Sequence, residues 1–143
     1  MLRDLLGDVN FKKGIQSYYK KYFNANATTA DFRFEMEQAS GLDLQSFFTQ
    51  WLYQEGLPNI KGQWSWDSKK KELKITLEQT QASAFSFPLE IGIVSDGKQS
   101  PQIKKANISS KQSTFTFVLE SRPTSLTLDP RTNLLGVFDI QAK

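Results

Sequence analysis

Histidine and cysteine are both missing from the 143 residues, and each absence removes a class of chemistry. Without imidazole there is no Ser–His–Asp triad, no Cys–His pair and no HExxH zinc motif. Zinc sites lean on His and Cys, so no catalytic residue and no metal ligand is expected in this chain. Without thiols there is no disulfide framework, which leaves the compartment undetermined. Long apolar runs are also missing. Nothing approaches the roughly 20 residues of a membrane helix, and Arg3, Asp4 and Asp8 interrupt any signal-peptide pattern, so no membrane partner is expected. Charge of one sign is barely in excess: 18 Lys and Arg against 15 Asp and Glu leave +3. The lysines lie in scattered groups (Lys12–Lys13, Lys20–Lys21, Lys69–Lys71, Lys104–Lys105), not as one stripe with aromatics between them. This predicts a solvated surface and no nucleic-acid partner.

What the chain has is aromatic bulk: 11 Phe, 4 Tyr and 3 Trp, enough for a core. In residues 8–23, Phe11, Ile15, Tyr18, Tyr19 and Tyr22 recur at helical spacing with lysines mostly opposite. Asp8 is the expected N-cap, after a short helical turn, Met1 to Leu6, ended by Gly7. Thr28 or Thr29 caps a second helix carrying Phe32, Met36 and Ala39, closed by Gly41. Asp43 caps a third, Leu44 to Gln54, with Phe47, Phe48, Trp51 and Leu52 on one stripe. Gly56 and Pro58 stop it.

Beyond Ile60 the period changes to two. The segments "WSW", "ELKITLEQ", "FSFPLEIGIV", "QIKKANIS", "TFTFVLE" and "TSLTLDP" read as strands separated by turn signals such as Asp67–Ser68–Lys69 and Asp96–Gly97–Lys98. Leu73, Ile75 and Leu77 share one face; Phe85, Phe87, Leu89, Ile91 and Ile93 share another, and so do Phe115, Phe117 and Leu119. Pro88 indicates an edge strand or a bulge. The fold class is therefore α+β: a small helical bundle of about three helices over residues 1–57, then an antiparallel β-sandwich over 58–143.

The candidate sites are weak. Asp31 and Glu35, one helical turn apart with Glu37 nearby, could in principle form a glycosidase pair; a solvated helix face with acids near the N-terminus explains them better. Glu78 and Glu90 are expected to face solvent, and Asp129–Pro130 to begin a turn. Trp64 and Trp66 lie on one side of a strand. They are expected to pack in the core or between domains, with a ligand platform, for example for sugar rings, as the alternative. Asn26–Ala27–Thr28 and Asn107–Ile108–Ser109 match the glycosylation acceptor pattern without any supporting context.

The order of segments carries a resemblance. Leu2, Arg3, Leu6, Gly7, Asp8, Phe11, Tyr18–Tyr19, Asn26, Thr28 and Asp31–Phe32 begin it. Ser40–Gly41, Asp43–Leu44, Phe47–Phe48, Trp51, Gly56 and Pro58 complete an SG-x-DL-x2-FF-x2-W-x4-G-x-P run. Together they resemble the end of the catalytic domain in aminopeptidase N-type zinc metallopeptidases, where a β-sandwich follows directly. The family's HExxH helix, glutamate ligand, catalytic tyrosine and exopeptidase glycine motif have no counterpart here. The resemblance thus implies a non-catalytic scaffold, with zinc only in the parent protein and none in this chain. It makes the upstream catalytic domain the partner and implies an excised segment, since Met1 falls inside a helix of the family. Phe47, Phe48, Trp51 and Pro58 then mark the packing between two domains, with Trp51 largely buried. Phe32 and Phe34, about 200° apart on a helix, cannot share one core, so an apolar helical face open to self-association is expected. Two other readings are a free-standing β-sandwich ligand-binding module and an interaction protein derived from the peptidase fold.

Overall fold

Helix α1 spans Leu2–Tyr22 in the computed structural model, which describes residues 1–143. It breaks at Gly7, whose φ of 75° and ψ of 158° lie where side chains rarely go. Asp8 does not cap the second part, because both its carboxylate oxygens accept from the Arg3 guanidinium across the break. Helix α2, Thr29–Ser40, is closed at both ends by its own sequence. Thr28 and Asp31 form a capping box, and Gly41 ends the helix in the left-handed region at φ 72°. The third helix is shorter than expected. Helix α3 covers only Gln45–Phe48, with the Asp43 carboxylate accepting from the Gln45 N–H at 2.8 Å, and Thr49–Tyr53 continue as a π-helical turn.

Leu6, Met36, Leu44 and Phe48 form the helical core, with Leu2, Phe11, Phe32 and Phe47 packed around it. The stripe read on α1 is only partly inward: Phe11, Tyr18 and Tyr22 are half-buried, whereas Ile15 and Tyr19 are exposed. The contact line passes instead through buried Gly14. A Cβ built there would lie 2.5 Å from Met36 Sδ and 3.4 Å from Ala39 Cβ. Absence of a side chain at Gly14 draws α2 onto that side of α1.

The chain divides into two compact units, Met1–Glu55 and Gly56–Lys143. The second holds seven strands: β1 Asn59–Asp67, β2 Glu72–Gln79, β3 Phe87–Ser95, β4 Gln102–Ile108, β5 Gln112–Val118, β6 Pro123–Leu128 and β7 Val137–Ala142. They make a four-stranded sheet, β5-β2-β1-β7, and a three-stranded sheet, β4-β3-β6. Alternation decides which side chains are inside. Leu73, Ile75 and Leu77 on β2, and Phe87, Leu89, Ile91 and Ile93 on β3, are all buried. Each such side chain contributes about 1.5–3 kcal/mol through burial. The Phe87 and Phe138 rings, from different sheets, meet edge to face at 6.4 Å.

Two expectations are corrected. The strands are not all antiparallel, because β7 runs parallel to β1. After β6 the chain crosses from the three-stranded to the four-stranded sheet and enters in the direction of β1. And Pro88 lies on the central strand of its sheet, not an edge. It is tolerated because β6 pairs with β3 only from Ile91 to Ser95, so one side of β3 has no ladder partner at Pro88. The register shift falls elsewhere, between Val94 and Ser95.

Candidate functional site

Four titratable groups of the helical unit, Lys21, Tyr22, Asp31 and Glu35, meet where α1 packs against α2. Glu35 is buried, and its two oxygens accept from Ser17 Oγ at 2.6 Å and Lys21 Nζ at 2.7 Å. The Lys21 hydrogen bond, then that from Ser17, holds the Glu35 carboxyl below the usual carboxylate range. One turn earlier, Asp31 accepts from the Thr28 hydroxyl, the Thr28 N–H and Tyr22 Oη, and its carboxyl is likewise lowered. Burial pushes the Tyr22 hydroxyl up. Glu37 lies near Arg33 and accepts from the Leu44 N–H at 3.0 Å. A general acid needs a carboxyl whose pKa is raised toward neutral pH. Asp31 and Glu35 are shifted the other way, and each carboxylate of the three joins one segment of backbone to another. They bind the fold together.

In the β unit two polar clusters carry no sequence signal. Gln79 is buried, and its carboxamide donates to the carbonyls of Phe85 (2.8 Å) and Ser110 (2.9 Å) while accepting from the Phe85 N–H (2.9 Å). It ties the loop before β3 to that before β5. Glu90, expected to face solvent, is instead buried on β3, with Arg131 hydrogen-bonded to both its oxygens and Lys105 at 3.6 Å. The reason is that β3 is the central strand, flanked by β4 and β6, and the turn after β6 folds over it. Arg131, foremost, keeps the Glu90 carboxyl below its ordinary range. The same turn is organised by Asp129, whose carboxylate accepts from the N–H groups of Asn133 and Leu134. Asp129 thus begins a turn as expected, and Glu78 is exposed.

Among the residues expected at the domain junction, Phe48 is buried in the helical core and Phe47 packs beside it, their rings 5.8 Å apart. Trp51 is half-buried, not largely buried, with its ring 6.4 Å from Phe47. The chain winds more widely in the π-helical turn Thr49–Tyr53, so Leu52 leaves the stripe and is 57% exposed, with Tyr53 beside it 69% exposed. Pro58 is fully buried in the β unit, where its carbonyl accepts from the Val137 N–H. Trp64 and Trp66 are half-buried and share their strand face with buried Ile60 and Gly62, opposite Ile75 and Leu73 of β2. Asn26 precedes the α2 cap, and Asn107 is exposed on β4. No three Asp or Glu side chains come together as a cation site would require, and no helix is long and apolar enough to cross a membrane.

Residues 1–51, nearly all of the helical unit, match the Peptidase family M1 domain. Aminopeptidase N of Escherichia coli (strain K12) is 31% identical over 133 residues, an alignment that takes in 82% of this chain and so extends through the strands. The chain belongs to peptidase family M1. Aminopeptidase M1-C of Oryza sativa subsp. japonica is 34% identical over 107 residues, covering 69% of this chain. The M1 chain described here spans about 15% and 12% of the length of these two relatives. Its fold matches that of Legionella pneumophila aminopeptidase A, solved in complex with aspartic acid, with a TM-score of 0.70. That match has 19% identity and covers 88% of this chain and 15% of the other.

Proposed function

We propose that this chain is a non-catalytic C-terminal part of an M1 zinc aminopeptidase, in which the helical unit completes the catalytic domain and the strands form a sandwich that braces it. The observation that carries the reading is a mismatch within the helical unit. It matches the M1 domain, yet it leaves Val9, Tyr19, Phe23, Phe34, Leu52 and Tyr53 between 48% and 80% exposed. Large apolar side chains in such number serve a protein whose remaining chain covers them. The Phe87–Phe138 contact between sheets supports face-to-face packing of the sandwich. Phe47, Phe48, Trp51 and Pro58 flank the boundary between the units in sequence.

The zinc of the parent enzyme does not fit this chain. No imidazole or thiolate is available, and the carboxylates of Asp31, Glu35 and Glu37 are engaged with Thr28, Tyr22, Ser17, Lys21 and Leu44. The metal therefore belongs to residues outside this chain, and no hydrolytic step runs through residues within it. The test is elemental analysis after dialysis together with turnover of an aminoacyl anilide by the isolated chain. We expect neither zinc nor turnover. Stoichiometric zinc with activity that survives repurification overturns the reading. The coding sequence upstream of Met1 provides a second check, since the reading requires HExxH and a downstream glutamate there.

A further inference from the structure

We propose that Asp96 is a site of spontaneous isoaspartate formation, a modification that rewrites the β3–β4 turn. Asp96–Gly97 is the one place where an Asp or Asn is followed by Gly in this sequence. The reaction needs three things: a carboxyl free to turn back on the chain, an unhindered following amide nitrogen, and backbone freedom at that residue. The turn supplies all three. Asp96 is exposed, and its carboxylate enters no hydrogen bond or ion pair. Gly97 is exposed at φ 74°, with nothing within 4 Å of the position a Cβ would take. The turn is held only by its backbone, Lys98 N–H to the Ser95 carbonyl at 3.0 Å and Asp96 N–H to the Arg122 carbonyl at 2.9 Å.

Competing positions are protected by structure. Asp67, followed by the small Ser68, has its Oδ1 fixed by the N–H groups of Lys69 (2.9 Å) and Lys70 (3.1 Å). Asp129 is buried, bound to two backbone N–H groups, and followed by a proline, which has no amide hydrogen to lose. The other Asp and Asn residues precede Ala or large side chains.

In the step itself the Gly97 nitrogen attacks Cγ of the protonated Asp96 carboxyl. The N–Cγ bond forms, the Cγ–OH bond breaks, and the hydroxyl leaves with the amide hydrogen as water. One water then opens the five-membered succinimide at the former backbone carbonyl. The main chain now runs through Cβ and Cγ, and the α-carboxylate hangs free. Nothing is oxidised or reduced, and the mass is unchanged. The backbone gains one methylene at a turn that also anchors the β5–β6 connection through Arg122.

The experiment ages the folded chain at neutral pH and physiological temperature, then labels it with a protein isoaspartyl methyltransferase and a radiolabelled methyl donor, followed by peptide mapping. We expect label to grow with time in the peptide ending at Lys98, to vanish in an Asp96→Glu variant, and to leave Asp67 unmarked. Asp96→Asn, with ammonia as the leaving group, should convert several-fold faster. Label that appears only when the chain is aged in urea shows that the native turn forbids the attack and overturns the proposal. So does a folded chain that stays unlabelled, or one whose label falls mainly on another residue.

Discussion

Replacing Gly14 by alanine sets two effects of known sign against each other. Gly14 has ordinary helical dihedrals within α1, so alanine there gains about 1 kcal/mol of helix propensity. Against this stands the close approach of α2. The new Cβ would lie 2.5 Å from Met36 Sδ, 3.2 Å from Met36 Cε and 3.4 Å from Ala39 Cβ. The first distance is too short to keep, and Met36 is fully buried among Leu6, Leu44 and Phe48, so its thioether end must shift against packed neighbours. Forcing a methyl into a packed core costs about 1–3 kcal/mol. The net expectation is a loss of up to about 2 kcal/mol, most simply near 1. The Met36→Ala background removes the obstacle. That substitution alone costs about 2–5 kcal/mol, and Gly14→Ala placed upon it should then stabilise by up to about 1 kcal/mol. The sign inverts, which amounts to a coupling of about 1–3 kcal/mol between the two positions. Urea unfolding of the four proteins, followed by helical far-UV ellipticity, measures it. A Gly14→Ala protein more stable than the parent by the full propensity gain, with additive effects in the double variant, would show that α1 and α2 do not meet at Gly14.

Gln79→Leu should cost about 3 kcal/mol or more in urea unfolding of the β unit, because several buried backbone groups lose their partner at about 1–3 kcal/mol each; a loss under 1 kcal/mol would show that water replaces the carboxamide. The Glu35 carboxyl is lowered in the fold, so its contribution is fully present above its unfolded pKa, near 4.3, and is lost as pH falls through the folded value. Glu35→Gln should therefore flatten the acid limb of stability measured by ellipticity between neutral and acid pH, and an unchanged limb would remove Glu35 from that role. Phe34 is 48% exposed while Phe32 packs against the helical core. Phe34→Ser should accordingly leave the melting temperature nearly unchanged and reduce self-association in sedimentation, whereas Phe32→Ser should destabilise the helices; a strictly monomeric parent that binds no apolar dye would argue against an uncovered face.

What the sequence determined by itself is the part of the fold that rests on neighbours in the chain. The capping box of Thr28 and Asp31, the left-handed stop at Gly41 and the alternation of Leu73, Ile75 and Leu77 each follow from side chains a few residues apart. The helix-to-strand change near Pro58, and the exclusion of imidazole and thiol chemistry, were legible for the same reason or by counting. Tertiary structure decided the rest. Whether Ile15 or Gly14 faces inward depends on where Met36 and Ala39 arrive, and no periodicity on α1 contains that information. Glu90 looks solvent-facing from its alternation, yet it is buried because Arg131, 41 residues away, folds over a strand that pairs on both sides. The late strand Val137–Ala142 has too few inward apolar residues to announce itself, and its parallel pairing with β1 is set by the path of the crossover. Local patterns decide which face of an element is apolar. Only the packed chain decides what that face meets, because contact between distant segments depends on the shape of both.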